Sequence, residues 1–558
     1  MLKIIYAAVL WSAIFGCPSA FADGNKVAIA SAHPLATAAG FEVLAKGGNV
    51  FDAAVAISAA LAVVEPSGSG LGGGGYWLLH RAQDGLETLV DGREKAPLAA
   101  HKDLYLDKAG KLIPKLSLDG ALAAAIPGMP AGLAHIAEKY GKLPLAASLA
   151  PAIRYAETGF AISARHLKLL KFRADVLKTQ PAAAEIFLQA DKTLPAPFSI
   201  LRQSDLASTL KRIAQSGRAG FYAGKTAEKL LASVNKAGGI WTEADLAGYQ
   251  IAERVPIKGR YKGINITSAA PSSSGGIVLV EALNILAGYD LDKTDSSTRK
   301  HLITEAMRHA YHDRSLYLGD ADFIDIPVKR LLSDDYAAGQ RSSIRPDKAL
   351  PSDLLSGEID RQPQGENTTH FSIIDEQGNR VAATLSVNFP FGSGFVAAGT
   401  GVVLNDEMDD FASQPGVMNG YGLVGGTANA IAPGKRMLSS MTPTFLETDQ
   451  QVAVLGTPGG SRIISMVLLA TLDFAQGHPP ESWVNLPRFH HQFMPDELEY
   501  EQNALTETEI KQLTAFGHHL KVARYPYGDM HAVLLDKTTH TLQAASDKRG
   551  EGRAVVGQ

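Results

Sequence analysis

Cysteine is almost missing from this chain: Cys17 is the only one in 558 residues. A chain that loses its first residues on export then has none, which excludes disulfides, thiolate metal sites and a cysteine nucleophile. Charge of either sign is not in excess, since 53 Lys and Arg face 57 Asp and Glu for a net of -4. That leaves no electrostatic footprint for nucleic acid or an anionic membrane. Long apolar runs are missing too. Ile4 to Phe15 falls short of the roughly 20 residues a bilayer helix needs, and the alanine-rich run Phe51 to Val64 is closely flanked by Asp52 and Glu65. The glycine run Gly70-Leu71-Gly72-Gly73-Gly74-Gly75 has neither the G-x-G-x-x-G nor the G-x-x-x-x-G-K-[ST] spacing of a phosphate cradle. Small-molecule chemistry is the better starting expectation, and no cofactor or metal is expected.

What is present describes an exported globular protein. With 46% hydrophobic and 20% charged residues, the chain can bury a large core. Lys3, the apolar run after it and Ala20-Phe21-Ala22 read as a secretory signal over residues 1–22, so a periplasmic or secreted protein is expected, with no membrane span after signal removal. Ile14-Phe15-Gly16-Cys17 loosely resembles a lipoprotein box, but the bulky Phe15 argues against lipidation. Helical spacing runs over Pro34 to Lys46 and dominates Gly120 to Gln250; Ser342 to Asn367 is polar, carries three prolines and reads as an exposed connector. Beyond it the chain turns to strands. Thr369 to Asp375 and Val381 to Asn388, separated by Glu376-Gln377-Gly378-Asn379, form a hairpin signature. Length alone suggests more than one domain.

The hairpin is where chemistry first becomes arguable. With Gln377-Gly378 as its turn, opposed residue numbers sum to about 755, so Thr368 faces Val387 with Ser386 and Asn388 beside it; a shift of one sets Ser386 directly opposite. A threonine hydroxyl needs a base. Cutting the Asn367-Thr368 bond would supply one on the same residue, an α-amine with a reference pKa of about 7.7–8.0. An isolated Thr-Thr pair, on propensity alone, is a strand former.

The run Asn367-Thr368-Thr369-His370-Phe371-Ser372 resembles the processing site of the gamma-glutamyltransferase (gamma-glutamyltranspeptidase) family of N-terminal-nucleophile hydrolases. The resemblance continues through Asn405 to Phe411, Tyr421 to Gly426, Leu438 to Thr444, Pro458 to Arg462 and Pro487 to His491, and upstream at Gly47-Gly48-Asn49, Asp91 to Glu94 and Tyr317 to Asp320. It implies an α+β, four-layer αββα sandwich made as a precursor, a zymogen whose autocatalytic cleavage yields a large subunit (23–367) and a small one (368–558) sharing one core. The length-based expectation of separate domains gives way to this.

The resemblance also implies roles. Thr368 matches the nucleophile and Ser386 a hydroxyl that assists it, threonine in some relatives. Arg93, Ser439 and Ser440 match the groups that hold the donor's α-carboxylate, a task suited to a guanidinium fork. Asn388, Glu407 and Asp410 match those holding the α-amino group; Glu407 is glutamine in some relatives. Backbone N–H groups of Gly459 and Gly460 match the oxyanion hole, and Pro415 to Arg436, with Tyr421, looks like a lid over the pocket. The implied substrates are glutathione and other gamma-glutamyl compounds, with water, an amino acid or a dipeptide as acceptor. Adjacent His490 and His491 have no third ligand spaced to help them and read as structural; Arg314 and Asp320 are expected in buried ion pairs. Two rival readings stand beside this one, a beta-lactam side-chain acylase of the same superfamily and a non-processing secreted binding protein.

Overall fold

A computed structural model describes residues 26–355, 367–414 and 416–558. The expected signal (1–22), part of the polar connector and Pro415 of the lid lie outside the described residues.

Two antiparallel sheets form the centre. The first runs, edge to edge, Arg553–Gly557, Val27–Ser31, Thr369–Asp375, Arg380–Ser386, Gly74–Arg81, Leu86–Gly92 and Ala252–Arg254. The second runs Thr541–Ser546, His531–Asp536, Gln451–Gly456, Thr444–Glu447, Ile264–Ser268 and Ile257–Tyr261. Period-2 alternation splits the first sheet's side chains between two cores. Ile29, Trp77, Leu79, Phe371 and Ile373 join one cluster with the helices Pro34–Ala45, Val50–Val64 and Leu145–Thr158. Ala28, Ala30, Tyr76, Leu78 and Ile374 join another with the second sheet, whose partners Gly275–Leu286, Ser296–Tyr317 and Ile463–Phe474 complete it. The order is helix, sheet, sheet, helix, the αββα sandwich that the resemblance implied. Both sheets mix strands from before and after position 367, so a cut there separates no domain.

Local chemistry explains the helix that backs the central strands. Val50–Val64 is wholly buried, and apart from Asp52 and Ser58 all its residues are apolar. Its start is fixed by Asn49, whose side chain accepts from Phe51 N and Asp52 N while Asp52 takes the Asn49 N–H at 2.9 Å.

The hairpin forms with the shifted register. Leu385 lies opposite Thr369 and Arg380 opposite Ile374, a sum of 754 rather than 755. The turn has three residues, not two: Asp375 N donates to Asn379 O at 3.1 Å, and Gly378 takes φ +88°, the left-handed residue that closes such a loop. Continued by one residue, this register sets Ser386 across from Thr368.

Candidate functional site

Thr368 sits at the mouth of the first sheet's central strand, 4% exposed. Its hydroxyl donates to the carbonyl of Asn367, the residue before it, and lies 3.3 Å from the Ser386 hydroxyl. Ser386 in turn accepts the N–H of Asn388 at 2.8 Å. That contact depends on an unusual backbone: Asn388 has φ +75°, sparsely populated for a side-chain-bearing residue, and is held there by Nδ2 donating to Asp406 O at 3.0 Å. Asn367 is anchored on its other side by its amide donating to Ser67 O.

Across a small cavity from Thr368 lies a buried charge cluster. Arg93, at the end of the Leu86–Gly92 strand, donates from Nη1 to Glu407 and from Nη2 to Asp410, each at 2.5 Å, and from Nε to Met437 O at 3.3 Å. Glu94 is 3.6 Å from the same guanidinium. Burial alone would weaken the Arg93 charge, but Glu407, Asp410 and Glu94 outweigh it and hold the guanidinium protonated. Burial pushes the Glu94 carboxyl up to about 7 against the pull of Arg93, and drives Glu407 upward too. The three carboxyls crowd one guanidinium, and burial holds Glu94 and Glu407 toward their neutral form, so the cluster is close to charge balance while it is empty.

Ser439 and Ser440 form the floor. Ser439 Oγ accepts Met441 N at 3.0 Å, and Ser440 Oγ takes Arg314 Nη2 at 3.2 Å. Arg314 departs from the expected buried ion pair: its Nε donates to Ser274 Oγ at 3.0 Å, and that hydroxyl donates to Ser439 O at 2.7 Å. An arginine inside a long helix gave no sequence signal of this. Asp320 is paired as expected, 3.9 Å from Arg254, and also accepts Arg436 N at 2.8 Å.

Gly459 and Gly460 follow the Gln451–Gly456 strand and both take positive φ, +140° and +57°. An added Cβ on Gly460 would come within 2.3 Å of the Tyr421 ring. Tyr421 caps the cavity, its ring 5.0 Å from that of Phe389 and its hydroxyl donating to Asn388 O at 2.9 Å and Asn367 O at 3.4 Å. The lid segment is tied down by Gln492, which donates to Gly422 O at 2.9 Å, and by Asp409, which accepts Gly420 N at 2.7 Å.

One cavity is thus lined by Thr368, Ser386, Arg93, Asn388, Glu407, Asp410, Tyr421, Ser439, Ser440 and Gly460 together. Of the residues singled out from sequence, Gly459 and Asn367 lie just beyond its wall. Leu423, Met441, Ser461 and Ile463 also line it and carried no signal of their own. The room left is about 20 Å³, enough for about one water and too small for an amino-acid side chain. His490 and His491 are not part of the cavity. They bond Ser465 (2.6 Å) and Asp496 (3.1 Å). His301, Glu305 and His518 lie within ligating reach of one another; the two imidazoles bond each other at 2.7 Å, and Glu305 takes Arg308 at 3.2 Å.

Residues 36–557 match the gamma-glutamyltranspeptidase family. The chain is 44% identical to a glutathione hydrolase proenzyme of Pseudomonas sp. (strain A14), over 88% of this chain and 85% of that one. It is 40% identical to the glutathione hydrolase proenzyme of Escherichia coli (strain K12), over 95% and 91%. Among solved structures, a cephalosporin acylase from Bacillus halodurans superposes with a TM-score of 0.85 at 28% identity, covering 99% of both chains.

Proposed function

The chain belongs to the gamma-glutamyltranspeptidase family, and from that premise we propose that it is a gamma-glutamyltransferase and glutathione hydrolase that matures by cutting itself between Asn367 and Thr368. The observation that carries the reading is a threonine hydroxyl held against the carbonyl of its own preceding residue, in one cavity with the buried Arg93, Glu407 and Asp410.

Maturation begins when Thr368 Oγ attacks the Asn367 carbonyl carbon. An ester forms, the C–N bond breaks and Thr368 gains a free α-amine; water then splits the ester, leaving a carboxylate on Asn367. The amine now serves as base for its own hydroxyl, with Ser386 assisting. Thr368 attacks the donor's γ-amide carbonyl and the backbone N–H groups of Gly459 and Gly460 receive the oxyanion, a service worth about 2.7–4 kcal/mol of barrier per donor. The amine of the leaving group departs with a proton, as cysteinylglycine when the donor is glutathione. Water or an acceptor amine releases the gamma-glutamyl group.

Recognition follows from charge. A glutamyl α-carboxylate replaces the carboxylate partners of Arg93 and gains the hydroxyls of Ser439 and Ser440, while the α-ammonium turns to Asn388, Glu407 and Asp410. Tyr421 keeps water out, which favours transfer over hydrolysis. Export to the periplasm or medium fits the amino-terminal signal pattern, and no helix among the described residues is long and apolar enough to cross a membrane.

The acylase reading draws support from the likeness to cephalosporin acylase, but a glutaryl group has no ammonium to offer the acidic cluster. Turnover of a gamma-glutamyl anilide against a glutaryl anilide decides between them: the account expects the first to be preferred by at least about tenfold, and preference for the second would overturn it.

A further inference from the structure

Eight arginines are buried among the described residues, and seven of them are ion-paired with carboxylates. The exception is Arg314, 5% exposed. It stands in the last turn of the helix Ser296–Tyr317, and its Nε and Nη2 donate to hydroxyls alone, Ser274 at 3.0 Å and Ser440 at 3.2 Å. Among the described residues no carboxylate lies within ion-pairing distance of it. Burial pulls its guanidinium down from the usual range; Tyr311 and Asp410 raise it again, and Arg93 opposes them. A guanidinium does not shed its proton in a protein, so the charge stays. The carbonyls at the helix C-terminus offset only about half an elementary charge. The remainder is a buried charge short of a counter-ion, a costly arrangement unless a ligand supplies one.

Ser440 sets the direction in which that charge acts. Its Oγ accepts from Arg314 and makes no other bond among the described residues, so its own proton is free to be donated into the cavity it lines. Ser439 beside it is built alike, its Oγ accepting Met441 N at 3.0 Å. The Ser439 carbonyl takes the Ser274 hydroxyl at 2.7 Å, which ties both serines to the same guanidinium. Arg93 is differently placed, since Glu407, Asp410 and Glu94 already surround it. A carboxylate entering beside Arg93 gains little net positive charge from that cluster. The cation without a carboxylate stands behind Ser440, outside the cavity wall.

We infer that Arg314 is a positioning and specificity-determining residue for the donor: it fixes Ser440 as a hydrogen-bond donor toward the α-carboxylate and supplies that carboxylate's counter-charge from behind the wall. The inference rests on the gamma-glutamyl donor reading. It adds to that reading the residue that makes a carboxylate, rather than a neutral group, the favoured occupant of the serine floor.

The test compares release of anilide from a gamma-glutamyl anilide and from its α-carboxamide analogue by the processed enzyme. The unaltered enzyme is expected to favour the acid by at least about thirtyfold in kcat/KM, the scale of hydrogen bonds to a charged group. In R314Q, which removes the charge and keeps a polar side chain, KM for the acid should rise at least about tenfold, while KM for the carboxamide and kcat for both donors stay within about threefold. R314K keeps the charge, but one ammonium cannot reach Ser274 and Ser440 as the fork does, so a smaller rise of about threefold is expected, again for the acid alone. That variant carries the test if R314Q fails to mature. Equal changes for the two donors, the mark of a merely structural role, contradict the inference, as do an unchanged KM for the acid in either variant and a lack of preference for the acid in the unaltered enzyme. Failure of the gamma-glutamyl reading looks different: the processed, unaltered enzyme would then release no anilide from either donor.

Discussion

At the scale of single residues, the account turns on Thr368 and Arg93. Thr368→Ala removes the hydroxyl that starts cleavage, so the variant is expected to stay one uncut chain on a denaturing gel and to bind a glutamate analogue too weakly to register by calorimetry, because the uncut site has room for about one water. Tight binding to the uncut variant would show that cleavage does not open the pocket. Arg93→Gln strands Glu407 and Asp410 as buried carboxylates, a loss of about 3–5 kcal/mol, visible as a lower Tm together with a raised donor KM. Little of this was legible from spacing. Arg93 and Thr368 are 275 positions apart, and nothing in either neighbourhood announces the other; only the resemblance placed them in one site. Arg314 was misread for the same reason, since an arginine in a helix is as readily an ion-pair partner as a support for Ser440.

At the scale of elements, the hairpin was legible and its register nearly so. Alternation and turn residues located both strands, but a two-residue and a three-residue turn differ by one in register, and that difference decides whether Ser386 or Val387 meets Thr368. The glycine turn after the Gln451–Gly456 strand is tightly packed against the lid. Gly460→Ala would drive a Cβ into Tyr421 at a backbone angle that suits glycine, displacing the oxyanion donors, and kcat for gamma-glutamyl anilide hydrolysis should fall by at least about tenfold. Tyr421→Ala strips the ring from Phe389 and the hydroxyl from Asn388 O, admitting water. The expected outcome is a severalfold lower ratio of transfer to hydrolysis, read by product analysis with a dipeptide acceptor.

At the scale of the molecule, strands that lie far apart in the chain could not be paired from local pattern. Val27–Ser31 lies between Thr369–Asp375 and Arg553–Gly557, and such pairings carry no local signature. The interleaving has a consequence for stability, because burial extends to titratable groups. His490, wholly buried between Ser465 and Gln492, is pushed down to about 4 by burial. Its folded value lies below its unfolded one, so on acidification the unfolded chain takes up the proton first. Stability due to this group is intact above pH about 6.5 and is lost as the pH falls toward 4. In denaturant titrations, His490→Gln should therefore show a shallower stability loss than the unaltered protein between those values and a constant difference above them; a difference that varied only above pH 6.5 would contradict the burial argument.

The central claim is that one chain becomes two, with Thr368 at the head of the second. Intact mass spectrometry of the purified protein under denaturing conditions, with N-terminal sequencing of the shorter fragment, tests it directly. The account predicts two chains, the shorter beginning Thr368-Thr369-His370. A single uncut chain that nonetheless turns over a gamma-glutamyl anilide, or a cut at any other bond, would contradict it.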